Sequence, residues 1–154
     1  MNAHSQFSWT EVQTPITTTI SKVQFINEHV GWAYSVGGKI LKSEDEGLSW
    51  EVVFDDPTKS FWSMHWSDLN HGWLSGQGTF IRTQDGGQTW EDMTFGDVTN
   101  EFDAVYFVDS LVGYMGLYTT TPSFTFDVYR TTDGGDNWIN TNYNFIMEIR
   151  ALFE

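Results

Sequence analysis

Apolar and polar residues alternate in short runs along this chain, and turn residues cut the runs at regular intervals. Ile20 to Phe25 alternates and reads as a strand. Asn27-Glu28-His29 turns the chain, Gly31 to Val36 reads as a second strand, and Gly37-Gly38 as a second turn. Lys39 to Lys42 and Trp50 to Phe54 complete a set of four. The same order returns over Trp62–Trp66, Gly72–Ser75, Phe80–Thr83 and Trp90–Phe95. It starts a third time at Phe102–Val108 and continues from Gly113. Four short antiparallel strands in about forty residues is the proportion of a propeller blade.

One phrase fixes the phase of these sets. It reads Ser43-Glu44-Asp45-Glu46-Gly47-Leu48-Ser49-Trp50, then Thr83-Gln84-Asp85-Gly86-Gly87-Gln88-Thr89-Trp90, then Thr131-Thr132-Asp133-Gly134-Gly135-Asp136-Asn137-Trp138. The shared pattern is a hydroxyl, any residue, Asp, any, Gly, any, any, Trp. Asp accepts hydrogen bonds from amides further along and holds a turn. The glycine supplies the positive φ of a tight hairpin. The Trp buries a large ring beside it. A second echo, Gly31-Trp32, Gly72-Trp73 and Gly113-Tyr114, precedes the three phrases.

The phrase resembles the Asp-box, or BNR repeat, of sialidases, sortilin-type receptors and related β-propellers. With the Gly-aromatic echo, the chain looks most like the photosystem II stability/assembly factor family. The resemblance implies a propeller fold, a chaperone-like role in building photosystem II, and a protein partner.

The chain reads as one all-β domain over residues 1–154, a propeller or partial propeller of three four-stranded Asp-box blades. Blades are expected over 20–54, 61–95 and 102–143. Ser8-Trp9-Thr10-Glu11-Val12 matches the end of a unit, so residues 1–14 read as the last strand of an incomplete blade. Ile149, Ala151 and Phe153 mark 146–154 as the first strand of another. Asp45 and Asp85 stand 40 residues apart but Asp85 and Asp133 stand 48 apart, while Gly31, Gly72 and Gly113 recur at 41. The extra residues therefore fall between the second and third strands of the last blade, around Thr119–Phe124, as a protruding loop. Three blades leave two aromatic-rich faces uncovered, which predicts completion of a ring, foremost as a homo-oligomer.

Charge and composition narrow the partners. Seven basic against 21 acidic residues give a formal charge of -14, which repels nucleic acid and anionic lipid and suits a basic protein. Aromatics reach 17% with eight Trp, as strands favour. There is no Cys, hence no thiolate chemistry. Residues 1–15 show no basic stretch followed by an apolar run, so no signal peptide is expected, and no stretch has transmembrane length. The compartment stays open.

Candidate chemistry is sparse. Asp45, Asp85 and Asp133 lie on equivalent turns of separate blades, so they are expected to be far apart and structural, along with Ser43, Gly47, Trp50, Thr83, Gly87, Trp90, Thr131, Gly135 and Trp138. A sialidase needs three arginines on one carboxylate. Here only Arg82, Arg130 and Arg150 exist, and the first two share a repeat position with Lys42. Other glycosidases need two carboxylates at a defined spacing. His4, His29, His65 and His71 show no metal-site spacing, and His65 reads as a packed strand histidine. Calcium at Asp55-Asp56, or at Asp97, Glu101 and Asp103, lacks a loop signature. No catalytic residue, metal or cofactor is therefore assigned.

The face opposite the Asp-boxes carries the blade links and the second-to-third turns. It holds the expected partner contacts, Asp55, Asp56, Asp97, Glu101, Asp103, Tyr118 and Phe124. The leading expectation is a non-catalytic protein-recognition or assembly module. One alternative is a carbohydrate-binding or glycosidase propeller, with Trp62, Tyr118 and Phe124 gathered in one concave site. Another is a purely structural, self-assembling repeat.

Overall fold

A computed structural model describes residues 10–96, 100–119 and 125–144 of the chain, the side chains of residues 142–144 excepted. The described residues form twelve strands: β1 (Ile20–Phe25), β2 (Gly31–Ser35), β3 (Lys39–Ser43), β4 (Glu51–Asp55), β5 (Phe61–Trp66), β6 (Gly72–Gly76), β7 (Thr79–Thr83), β8 (Glu91–Asp92), β9 (Glu101–Phe107), β10 (Gly113–Thr119), β11 (Thr125–Thr131) and β12 (Ile139–Asn144). They make three antiparallel sheets of four strands in simple meander order, one for each blade. No helix among the described residues is long and apolar enough to cross a membrane. The segment expected as a first strand over 146–154 lies outside the described residues, as do residues 1–9, and residues 10–14 carry no strand.

The three Asp-boxes close the third-to-fourth turns with one set of bonds. Thr83 Oγ1 donates to Asp85 Oδ1 at 2.8 Å and accepts the Gly87 amide at 2.9 Å. Asp85 then accepts the Thr89 amide at 2.9 Å and the Thr89 hydroxyl at 2.6 Å. Asp45 and Asp133 repeat this with Ser49 and Asn137. The turn needs two successive residues with positive φ, filled by Gly86-Gly87 and Gly134-Gly135, and by Glu46 (φ 65°) with Gly47 in the first blade. Each box is tied to the first-to-second turn of its own blade, as in the Gly86 amide donating to Asn70 O at 2.9 Å. The opposite edge carries the other connections: Asp56 N donates to Gly38 O at 3.1 Å, and Gly78 N to Asn100 O at 2.8 Å.

Two differences from the sequence reading have local causes. The fourth strand of the second blade is expected over Trp90–Phe95 but regular pairing is confined to Glu91–Asp92. There the Thr94 hydroxyl accepts the Phe80 amide at 2.9 Å, while Asp92 Oδ1 takes the Thr94 amide at 3.0 Å. Side-chain acceptors thus displace the ladder. The insertion in the third blade lengthens its hairpin: β10 and β11 have seven residues each and pair out to Thr119 and Thr125. Residues 120–124 between them lie outside the described residues.

The core lies between blades. Trp32, Ile40, Met64, Trp66, Leu74 and Ile81 bury one seam, and Trp73, Phe80, Phe102, Val105, Phe107 and Met115 bury the other. The Gly-aromatic echo builds both. The aromatic after the glycine reaches forward and stacks on the last ring of the next blade's first strand: Trp32 on Trp66 at 3.6 Å between centroids, Trp73 on Phe107 at 3.5 Å. The glycine does the converse. Its missing side chain lets the ring of its own first strand lie against the backbone, since a Cβ at Gly72 would stand 2.5 Å from the Trp66 ring.

Candidate functional site: a cleft along the first strands

The first strands β1, β5 and β9 run beside one another and are stitched across the blades. Gln24 Nε2 donates to Trp66 O at 2.9 Å, and the Val105 amide donates to Ser63 Oγ at 3.3 Å. Along them opens a cleft of about 710 Å³.

All three strands carry a bulge at the same repeat position. Pairing with the neighbouring strand skips Ser21 in β1, Trp62 in β5 and Asp103 in β9. A bulge turns its extra residue out of the ladder and re-aims the side chain. All three bulged residues line the cleft. The Tyr34 hydroxyl secures the middle bulge by donating to Trp62 O at 2.6 Å. Further along the strands, Lys22, Ser63, His65 and Tyr106 complete the wall. The lining therefore mixes a cation, a carboxylate, an indole, a phenol and an imidazole.

His65 packs against Tyr106 with centroids 4.5 Å apart and ring planes tilted by 51°. Burial pushes its pKa down to about 4, a hydrogen bond to the Phe107 backbone opposes this, and the nearby Lys22 charge adds to the lowering. The ring is neutral at pH 7 and meets a ligand as a hydrogen-bonding group without charge.

The residues expected to touch a partner are placed unevenly. Asp103 lines the cleft. Glu101 and Tyr118 are half-buried and face each other across β9 and β10. Asp55 pairs with Lys39 at the edge of the first blade. Asp56 accepts the Thr58 hydroxyl at 2.6 Å and the Thr58 amide at 3.0 Å, which hold its carboxyl below the usual range. Neither Asp55 nor Asp56 lines the cleft. Asp97 and Phe124 lie outside the described residues.

Lys22, Ser63, His65 and Tyr106 are not among the partner contacts expected from the sequence, but a signal for them exists. Positions 20, 61 and 102 are Ile, Phe and Phe, and positions 25, 66 and 107 are Phe, Trp and Phe. Between them, 21, 62 and 103 read Ser, Trp and Asp, and 22, 63 and 104 read Lys, Ser and Ala, and all six line the cleft. Packing fixes the flanks, while the cleft positions change from blade to blade.

Comparison with known proteins agrees with this architecture. Residues 52–145 match the sequence profile of the family described as Photosynthesis system II assembly factor YCF48. The chain is 37% identical over 43 residues to Photosystem II assembly protein Ycf48 of Thermosynechococcus vestitus, covering 28% of this chain and 12% of that protein. It is 42% identical over 64 residues to the chloroplastic Photosystem II stability/assembly factor HCF136 of Cyanidioschyzon merolae, covering 39% and 14%. A solved structure titled YCF48 bound to D1 peptide superposes with a TM-score of 0.70 at 28% identity, over 84% of this chain and 42% of that one. An ancestral GH74 enzyme shares the fold at a TM-score of 0.61 and 20% identity, over 81% of this chain and 19% of that one. The chain thus spans well under half the length of these relatives. With three Asp-box blades joined by the same aromatic stack, and a profile match over most of its length, the chain belongs to the Photosynthesis system II assembly factor YCF48 family.

Proposed function

We propose that the chain acts as a non-catalytic assembly factor that holds an extended segment of a partner protein in the cleft along β1, β5 and β9. The observation that carries this is the repeated bulge, which turns Ser21, Trp62 and Asp103 into one cleft from three separate blades. A row of side chains of different chemistry suits successive residues of a peptide. The Trp62 ring offers an apolar platform, and Asp103 and Lys22 offer charges of opposite sign. The solved relative named for its bound D1 peptide supports a peptide of that kind as ligand.

The lining also supports the non-catalytic reading. Among the described residues that form the cleft, Asp103 is the single carboxylate. Glycoside hydrolysis needs a facing pair. Likeness to the GH74 enzyme extends to the fold alone.

The test is titration of the isotope-labelled chain with a D1 peptide. Expected are shifts of the Trp62 indole, the His65 ring and the Tyr106 ring, and a roughly tenfold or greater loss of affinity in Trp62→Ala and Asp103→Asn, in the range of central interface contacts. Unchanged affinity in both folded variants, or shifts confined to the outer strands, would overturn the assignment.

A further inference from the structure

The contact between successive blades is built twice from the same parts. One blade supplies a ring and a cation, and the next supplies a ring lying on its glycine and an Asp-box turn. At the second seam, Trp73 stacks on Phe107 with planes 3° apart, and its Nε1 donates to the Gly134 carbonyl of the third box at 3.0 Å. Arg82 Nη1 donates to that same carbonyl at 3.1 Å and pairs with Asp136 at 2.8 Å. At the first seam, Trp32 stacks on Trp66, and Lys42 comes within 3.9 Å of where a Cβ on Gly86 would stand.

Each half of this contact also stands open at one end of the described blades. On the first blade, Phe25 lies on Gly31 as Trp66 lies on Gly72. Phe25 is 40% exposed where Trp66 and Phe107 are 1% exposed, and Val23 is 46% exposed where Met64 and Val105 are at 0% and 3%. On the third blade, Tyr114 and Arg130 hold the positions of Trp73 and Arg82. Val128 is half-exposed there, where its equivalents Ile40 and Phe80 are fully buried. The open ends are therefore the two complementary halves of a contact the molecule already makes twice. Their charges match as well, since Arg130 would meet the acidic turn Glu44-Asp45-Glu46.

We propose that the open face of the third blade docks on the open face of the first blade of a second copy, head to tail. Tyr114 of one copy covers Phe25 of the other, and Arg130 sits over its first Asp-box. The interface is heterologous, and two such contacts close two copies on themselves.

Light scattering of the full chain across concentration, in moderate salt, tests this. The expected mass for the unaltered chain is twice that of one chain, falling by half in Phe25→Asp and in Tyr114→Asp. Mixing the two variants should restore the doubled mass, because one keeps an intact third-blade face and the other an intact first-blade face. Circular dichroism checks that each variant folds, and Arg130→Glu, at a half-exposed surface position, serves where either does not. A mass that grows with concentration, and that both variants abolish, supports the same contact in unclosed form. A single-chain mass at every concentration would overturn the proposal. A dimer that resists the variants, or a mixture that does not reassociate, would overturn it too.

Discussion

Gln24 holds Trp66 of the next blade by both of its backbone groups. Its Nε2 donates to the Trp66 carbonyl at 2.9 Å, and its Oε1 accepts the Trp66 amide at 3.0 Å. Trp66 is itself buried in the seam between the first two blades. One amide side chain therefore stands in for a pair of sheet hydrogen bonds where two separate sheets meet. Gln24→Ala strips both partners from a backbone unit inside the seam. The expected loss is about 1–3 kcal/mol, the penalty for leaving buried polar groups unpaired. Urea unfolding should show a lower midpoint with an unchanged slope. A midpoint that does not move would mean that water replaces the side chain.

The glycines before the stacking aromatics are a second point of strain-free contact that a methyl group would destroy. At Gly72 the added Cβ would stand 2.5 Å from the Trp66 ring, and Trp32 presses on the ring's other side at 3.6 Å. Gly113 meets Phe107 at 2.6 Å, with Trp73 behind it at 3.5 Å. Neither ring can retreat, so Gly72→Ala and Gly113→Ala should each cost about 1–3 kcal/mol as overpacking. Gly31→Ala faces Phe25 at 2.8 Å, but that ring is open on its far side and can swing away. It should cost less when measured on the dissociated chain at low concentration. Equal losses at all three sites would show Phe25 held as firmly as the two sandwiched rings.

What was legible in the sequence is what is local. Asp45, Asp85 and Asp133 announce their turns because every bond they make falls within four residues. The Gly-aromatic pairs announce the repeat in the same way, but the stack each makes on the next blade joins residues more than thirty positions apart and is not written in the motif. The cleft was only half legible. Asp103 is expected at a contact face from its place after a blade link, yet its entry into the cleft depends on a bulge against β10 that its own strand does not encode. Read one at a time, Trp62 suits a carbohydrate site and His65 a packed strand. Their shared wall arises because β5 lies between β1 and β9, a relation across three blades that no single window of sequence contains. The shortened β8 was illegible because a threonine hydroxyl competes there with the backbone ladder.

The Asp-boxes should make the fold acid-sensitive in a defined window. The Thr89 hydroxyl and amide hold the Asp85 carboxyl at about 2, and the Asn137 side chain and amide hold Asp133 at about 2, against an ordinary 3.8. Above pH 3.8 both carboxylates are ionised in the folded and unfolded chain, and their full contribution is present. As pH falls from 3.8 towards 2, the unfolded chain takes up protons that the folded chain refuses, so stability drops. Urea midpoints measured across that window should fall steadily. Asp85→Asn should lower the midpoint at neutral pH and flatten part of the slope. The rest of the slope should persist, since Asp133 keeps its own box and Asp45, Asp56, Asp68, Asp92 and Asp109 are lowered as well. A slope untouched by Asp85→Asn would move the acid sensitivity to those other carboxylates.

His65 gives a separate window at higher pH. Burial against Tyr106 pushes its pKa from 6.5 down to about 4. Above pH 6.5 the ring is neutral in both folded and unfolded chains and has no effect on stability. Between 6.5 and 4 the unfolded chain protonates first, so stability should decline through this range and the histidine should add no further loss below it. This decline precedes the loss from the Asp-boxes, so the two are separable in one series of measurements. His65→Gln keeps a polar side chain at the position without a titrating group. It should flatten the upper part of the profile and leave the lower part as it was. Direct titration of the ring by nuclear magnetic resonance gives the independent check. A midpoint near the ordinary value would mean that water reaches the ring freely in the folded chain. His65 would then enter the cleft as a charge switch at mildly acid pH, and peptide affinity would have to change with its protonation.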